Sequence, residues 1–187
     1  MSSILEIPEV RQRVSPLSVA EYHRLGEFNE NGRRTELIRG IVIEKMSKSP
    51  QHTSLATRLF RIISGLLPAG FVARKEEPLT LTDSEPEPDL AVVRGEEKDF
   101  AHAHPATADL VVEVAISSAA LDRANVSLYA EAGVNEYWIV LGGREAVEVY
   151  CRPLGSDYTE TRIYERGDTI SCVAVPEIIL PVDAIFD

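Results

Sequence analysis

The chain of 187 residues predicts a mixed α/β fold, on three observations. The run DLVVEVAI at 109–116 is almost continuously apolar, as a strand is when both faces of its sheet are covered. Leu55, Leu59, Ile62, Ile63 and Leu66 recur at helical spacing. EYWIVL and AVEVYCR, on either side of the turn GGR, have the length and the β-branched and aromatic content of paired strands.

The elements follow in order. Ser18 with Glu21 three residues on is a capping box and opens a short helix through Tyr22 and Leu25. NENGRR, at 29–34, reads as a polar turn. TELIRG and IVIEKM are two short strands meeting near Gly40, where glycine permits the tight bend of a hairpin. Ser49 and Pro50 start the next helix, because proline is tolerated in a first turn, and Pro68 and Gly70 stop it. FVARKEE and LTL read as strands, and SEPEPDLAVV runs through a proline-restricted stretch into a strand starting near Asp89. After the central strand a helix is predicted from Ser118 to Ala132, ended by Gly133. One or two late strands lie around YTETRIYE and TISCVAV. No repeat and no low-complexity linker divides the chain, so residues 1–187 read as one domain.

Composition excludes several classes. With 44% hydrophobic and 26% charged residues the chain carries enough apolar surface for a core, against disorder or a solenoid. Its apolar runs are far shorter than the roughly 20 residues of a membrane span. MSSILEIPEVRQRV lacks the basic start and apolar stretch of a signal peptide, and the chain reads as cytoplasmic. Two cysteines, Cys151 and Cys172, build neither a disulfide framework nor a cysteine zinc site. The net charge of −11 argues against indiscriminate coating of nucleic acid. The charge is uneven: residues 1–75 hold 12 Lys/Arg against 7 Asp/Glu, and residues 76–187 hold 7 against 23. That asymmetry suits a basic face beside an acidic pocket, and equally suits solvated surface.

Four acids carry the chemical argument: Glu36 in the first hairpin strand, Asp89 at a strand start, Glu113 inside the central strand and Asp122 in the helix behind it. A carboxylate within LVVEV is costly to bury unless it is paired, hydrogen-bonded or on a cation. Glu113 therefore admits two readings, a salt bridge to an arginine such as Arg123, or, with Asp89 on an adjacent strand, a pair of oxygen ligands for Mg²⁺. His52 falls in the first turn of the second helix, as a cap residue or as a neutral imidazole that anchors a phosphate or takes a proton. His102 and His104 with Asp99 lie in a Pro- and Ala-rich loop, weak ground for a metal site. Ser117 and Ser118 lack a nucleophile elbow and suit helix capping. Arg33, Arg34, Arg39, Lys45, Lys48, Arg58 and Arg61 include candidates for tracking a nucleic-acid backbone.

The order ELIRG, PDLAVV, DLVVEVAISS, DRANVSLYAEAGVNEYWIV resembles the Uma-two family of restriction endonucleases, over about residues 17–150, most specifically from Glu113 to Val140. The resemblance implies a restriction-endonuclease-like fold of the PD-(D/E)xK class, a central mixed sheet flanked by helices, with residues 158–187 extending the same domain. It implies Asp89 and Glu113 as metal ligands, the Val114 carbonyl as a third, Glu36 as an early acid acting directly or through water, and His52 near the cluster. The cation would be Mg²⁺, with Mn²⁺ as substitute, the reaction hydrolysis of DNA phosphodiesters, and the working form a homodimer. The sequence departs from the pattern twice: the lysine expected two residues after the glutamate is Ala115, and that expected four residues before Tyr129 is Asn125. The alternative is therefore a nuclease-fold module that binds nucleic acid or a protein without cleaving.

Overall fold

A computed structural model describes residues 8–11, 13–26 and 32–187. The first three residues of the turn expected at 29–34, and the start of the N-terminal stretch, lie outside the described residues. The chain forms two compact units, residues 1–45 with 82–86, and residues 46–81 with 87–187.

The smaller unit contains α1 (Pro8–Arg11), α2 (Val19–Gly26), β1 (Thr35–Ile38) and β2 (Ile41–Glu44). The capping box forms as expected: the Ser18 N–H and hydroxyl donate to Glu21 Oε2 at 2.8 and 2.7 Å, and the Glu21 N–H donates back to Ser18 Oγ at 3.3 Å. β1 and β2 pair antiparallel from Thr35↔Glu44 to Ile38↔Ile41, around a turn whose central residues both have positive φ, Arg39 at 52° and Gly40 at 73°. That two-residue turn matches the right-handed twist of its strands. Gly40 is required twice over, since a Cβ there would also collide with Pro16.

The larger unit is built on a six-stranded sheet of order β3-β4-β5-β6-β7-β8. Its strands are β3 (Phe71–Arg74), β4 (Leu90–Arg94), β5 (Leu110–Ala115), β6 (Glu136–Leu141), β7 (Ala146–Leu154) and β8 (Asp157–Tyr164). Neighbours are antiparallel except β5 and β6, which pair in parallel from Leu110↔Glu136 to Ala115↔Leu141. A parallel pair needs a crossover, here α4 (Ala119–Ala124) and α5 (Val126–Glu131). α3 (Pro50–Leu66) starts at the Ser49 cap, whose Oγ accepts the His52 N–H at 3.2 Å. Its Leu55, Ala56, Leu59 and Ile63 are buried against Leu110, Val112 and Val114 of β5. The pair β9 (Thr169–Ser171) and β10 (Ile179–Pro181), and α6 (Asp183–Phe186), join the same core through Ile170, Leu180 and Ile185. Alternation then places Val111, Glu113 and Ala115 on the opposite face, where Tyr129 of α5 meets Glu113. With both faces covered, β5 is apolar almost throughout, as its sequence predicted.

Three expectations are corrected. LTL is not a strand: Leu79 and Leu81 are buried from irregular backbone, and the Thr80 N–H donates to Pro105 O rather than to a ladder. The helix expected from Ser118 to Ala132 is two helices meeting at Asn125. Ser118 stands at the N-cap position of α4 but gives its hydroxyl to Asp122 Oδ2 at 2.8 Å instead of capping the backbone. The edges of the six-stranded sheet are β3 and β8, and AVEVYCR lies inside it. Among the described residues no helix is long and apolar enough to cross a membrane.

Glu136, the first residue of β6, is fully buried. Its carboxylate accepts from Trp138 Nε1 at 2.7 Å and from the N–H groups of Val173 and Ala174 at 2.6 and 3.0 Å, tying the segment after β9 to the central sheet. Cys172 Sγ lies 3.3 Å from the same oxygen as the two amides, and burial together with this carboxylate pushes the thiol far above its ordinary range, so it is chemically quiet. Glu136→Ala strands the buried Trp138 Nε1–H, at about 1–3 kcal/mol, together with the two partly exposed amides, and leaves a cavity where the carboxylate stood. A loss of roughly 4 kcal/mol in urea unfolding is expected, with Glu136→Gln milder because its carbonyl keeps part of the set.

Candidate active site

Asp89 and Glu113 meet because of register. β4 and β5 pair Leu90 with Val112, so one step further sets Asp89 opposite Glu113 across the same seam. Directly opposed residues of an antiparallel pair present their side chains on one face. The Asp89 N–H donates to Glu113 Oε2 at 3.1 Å, and the Val114 N–H donates to Asp89 Oδ2 at 2.9 Å. Glu113 Oε1 accepts the hydroxyl of the fully buried Tyr129 at 3.1 Å. Arg123, the arginine considered as a partner for Glu113, instead engages Glu148, with Nε 3.0 Å from Oε2.

Two cationic or proton-bearing side chains close on Asp89. His52 Nε2 is 2.9 Å from Oδ2, and an ionised carboxylate has no proton to give, so the imidazole donates. Its Nδ1 is buried without a hydrogen-bond partner among the described residues. Lys48 Nζ lies 2.7 Å from Asp89 Oδ1 and 3.2 Å from Glu76 Oε1. Burial by itself would raise the Asp89 carboxyl, but the hydrogen bonds from His52 and Lys48 outweigh it and hold the group below the ordinary aspartate range. Burial would likewise lower the Lys48 ammonium, and the bonds to Asp89 and Glu76 turn that into a net rise.

Of the residues expected at the site, Asp89, Glu113, Val114 and His52 stand together in the larger unit. Glu36 belongs to the smaller one, where Lys45 Nζ lies 3.7 Å from its Oε2. Asp122, buried, takes the Ser118 hydroxyl. The His102–His104 loop shows no metal geometry: His104 Nδ1 meets Arg74 at 3.0 Å and Asp99 accepts the Glu96 N–H at 2.8 Å. Sequence reasoning missed Lys48 and Glu76 as members of the cluster. Lys48 precedes the helix cap, where no periodicity marks it, and Glu76 adopts φ of 56°, a left-handed conformation unusual for its type. Tyr129 carried a signal, as the helix tyrosine of the family pattern.

Comparison with known proteins bears on this geometry. The family model for Uma2, described as "Putative restriction endonuclease", matches residues 19–183. The chain belongs to the Uma2 family. The match extends past the block at 17–150 that carried the resemblance and takes in the late strands. Among solved structures, a crystal structure of a "putative nuclease belonging to DUF820" from Anabaena variabilis ATCC 29413 superposes with a TM-score of 0.77 at 21% identity, covering 91% of this chain and 98% of that one. At that identity the likeness establishes the fold alone. None of the curated proteins matches the chain.

Proposed function

We propose that the chain is a Mg²⁺-dependent endonuclease that hydrolyses DNA phosphodiester bonds at Asp89 and Glu113. The observation that carries the reading is the pairing of two carboxylates across the β4–β5 seam, which brings hard oxygen donors from residues 24 apart onto one face. The donor set fits Mg²⁺, which takes one or two carboxylates and keeps several waters, with Mn²⁺ as substitute. The residues that would hold the cation are the Asp89 and Glu113 carboxylates and the Val114 carbonyl, with water completing the shell. Asp89 accepts three hydrogen bonds against about four lone-pair sites, so it retains capacity. In extended backbone the N–H and C=O of one residue point the same way, which turns the Val114 carbonyl toward the side its N–H shares with Asp89.

When bound, the cation supplies an activated water and charge neutralisation at the phosphate. The chain's own residues do the rest. His52 and the Val114 N–H fix the Asp89 carboxylate, and Tyr129 fixes Glu113. Lys48, held between Asp89 and Glu76, contributes the positive charge that Ala115 and Asn125 lack. For Glu36 the proposed role rests on the family pattern alone, as does a homodimer that presents one site to each strand of a duplex. The reading is tested with supercoiled plasmid in Mg²⁺ or Mn²⁺. Nicking that stops on chelation with EDTA and returns with excess metal is expected; intact plasmid under every condition would leave the second reading, the non-cleaving module favoured by the two missing lysines.

A further inference from the structure

Charge pairing in the larger unit is uneven. Arg74, Arg94, Arg123, Arg144, Arg152, Arg162 and Arg166 each lie within hydrogen-bond or ion-pair reach of a carboxylate. Arg58 and Arg61 have no carboxylate partner among the described residues, in a chain with 30 Asp and Glu to 19 Lys and Arg. Both belong to α3, which contains no acid from Pro50 to Leu66. Lys48, Thr53, Ser54, Thr57, Arg58 and Arg61 line an open groove of about 700 Å³. Residues 54, 57, 58 and 61 follow the spacing of one helical face, and 53 to 61 spans about 12 Å at 1.5 Å per residue. Arg58 is braced by one N–H on Ile185 O at 3.1 Å, and Lys75 Nζ reaches Thr57 Oγ1 at 2.9 Å. The end of the groove at Lys48 touches Asp89.

We infer that this stripe of α3 is the track on which the sugar–phosphate backbone of duplex DNA lies as it enters the site; the inference rests on the nucleic-acid reading above. Hydroxyl, guanidinium and ammonium groups are the donors that contact phosphates and set register without reading sequence. The stripe offers no aromatic or large apolar anchor of the kind that dominates protein interfaces. Leaving arginines unpaired in an acidic chain keeps their charge available to a polyanion.

The test is binding of a fluorescently labelled duplex, followed by anisotropy across a salt series with Ca²⁺ in place of Mg²⁺. Arg61 is exposed, so Arg61→Ala and Arg61→Glu should fold, which thermal melting checks. Arg162→Ala removes the same charge from β8. Arg61→Ala is expected to weaken binding about three- to tenfold and to lower the slope of log K against log salt by about one, with Arg61→Glu weaker still and Arg162→Ala unchanged. Unchanged affinity and slope in both Arg61 variants, or an equal loss in Arg162→Ala, would overturn the inference while the nuclease reading stood on its cleavage assay. A wild-type chain that neither binds nor cuts DNA would overturn both.

Discussion

Asp89→Asn is expected to lower plasmid nicking by at least about 10³-fold, on the order of 4 kcal/mol of transition-state stabilisation. All three contacts of its carboxylate, from Lys48, His52 and the Val114 N–H, are donors. An amide keeps one acceptor oxygen and must turn its NH₂ toward one of them, and it loses the negative charge that a divalent cation needs. Mn²⁺ binding followed by calorimetry should weaken together with turnover, and a modest fall in stability, about 1–3 kcal/mol, should accompany it. Equal nicking by wild type and variant would mean that the activity came from elsewhere and that Asp89 is structural.

Lys48→Met should cost about 10²–10³-fold in turnover, the usual effect of removing one charge-stabilising donor. The same change should tighten Mn²⁺ binding, because an ammonium 2.7 Å from Asp89 Oδ1 repels a second cation. This opposition of metal affinity and rate separates a charge acting on substrate from a mere salt bridge. Asn125 is one helical turn before Tyr129, whose hydroxyl reaches Glu113, so a lysine there starts on the face that looks at the site. Asn125→Lys in the Lys48→Met background is therefore expected to restore part of the rate. Wild-type turnover in Lys48→Met would show that the ammonium only pairs with carboxylates.

What the sequence made legible was whatever local chemistry enforces. The β5 run, the Ser49–Pro50 helix start and the hairpin at Gly40 each follow from burial, capping or turn geometry within a few residues. Asp89 and Glu113 were found because a carboxylate in an apolar strand demands a partner. Lys48 was not, since its contact with Asp89 spans 41 positions and no periodicity announces it. Leu79 and Leu81 look like strand residues because alternation reports burial, and burial needs no ladder when loop hydrogen bonds such as Thr80 to Pro105 are available. Asn125 interrupts a pattern that stays apolar on both sides of it, so the break between α4 and α5 leaves no mark in periodicity. α6 is four residues long, too short for any periodic signal.

One of the two edge strands of the six, β8, has a further consequence. Arg152 and Arg162 flank Glu160 on and beside it, at 3.0 and 3.8 Å, and Ile163 is its large exposed aliphatic residue. Alternating signs along a free rim act as gatekeepers, because an incoming strand would have to match or bury each charge. The chain should therefore resist ribbon-like aggregation through that rim with strands whose charges do not complement its own.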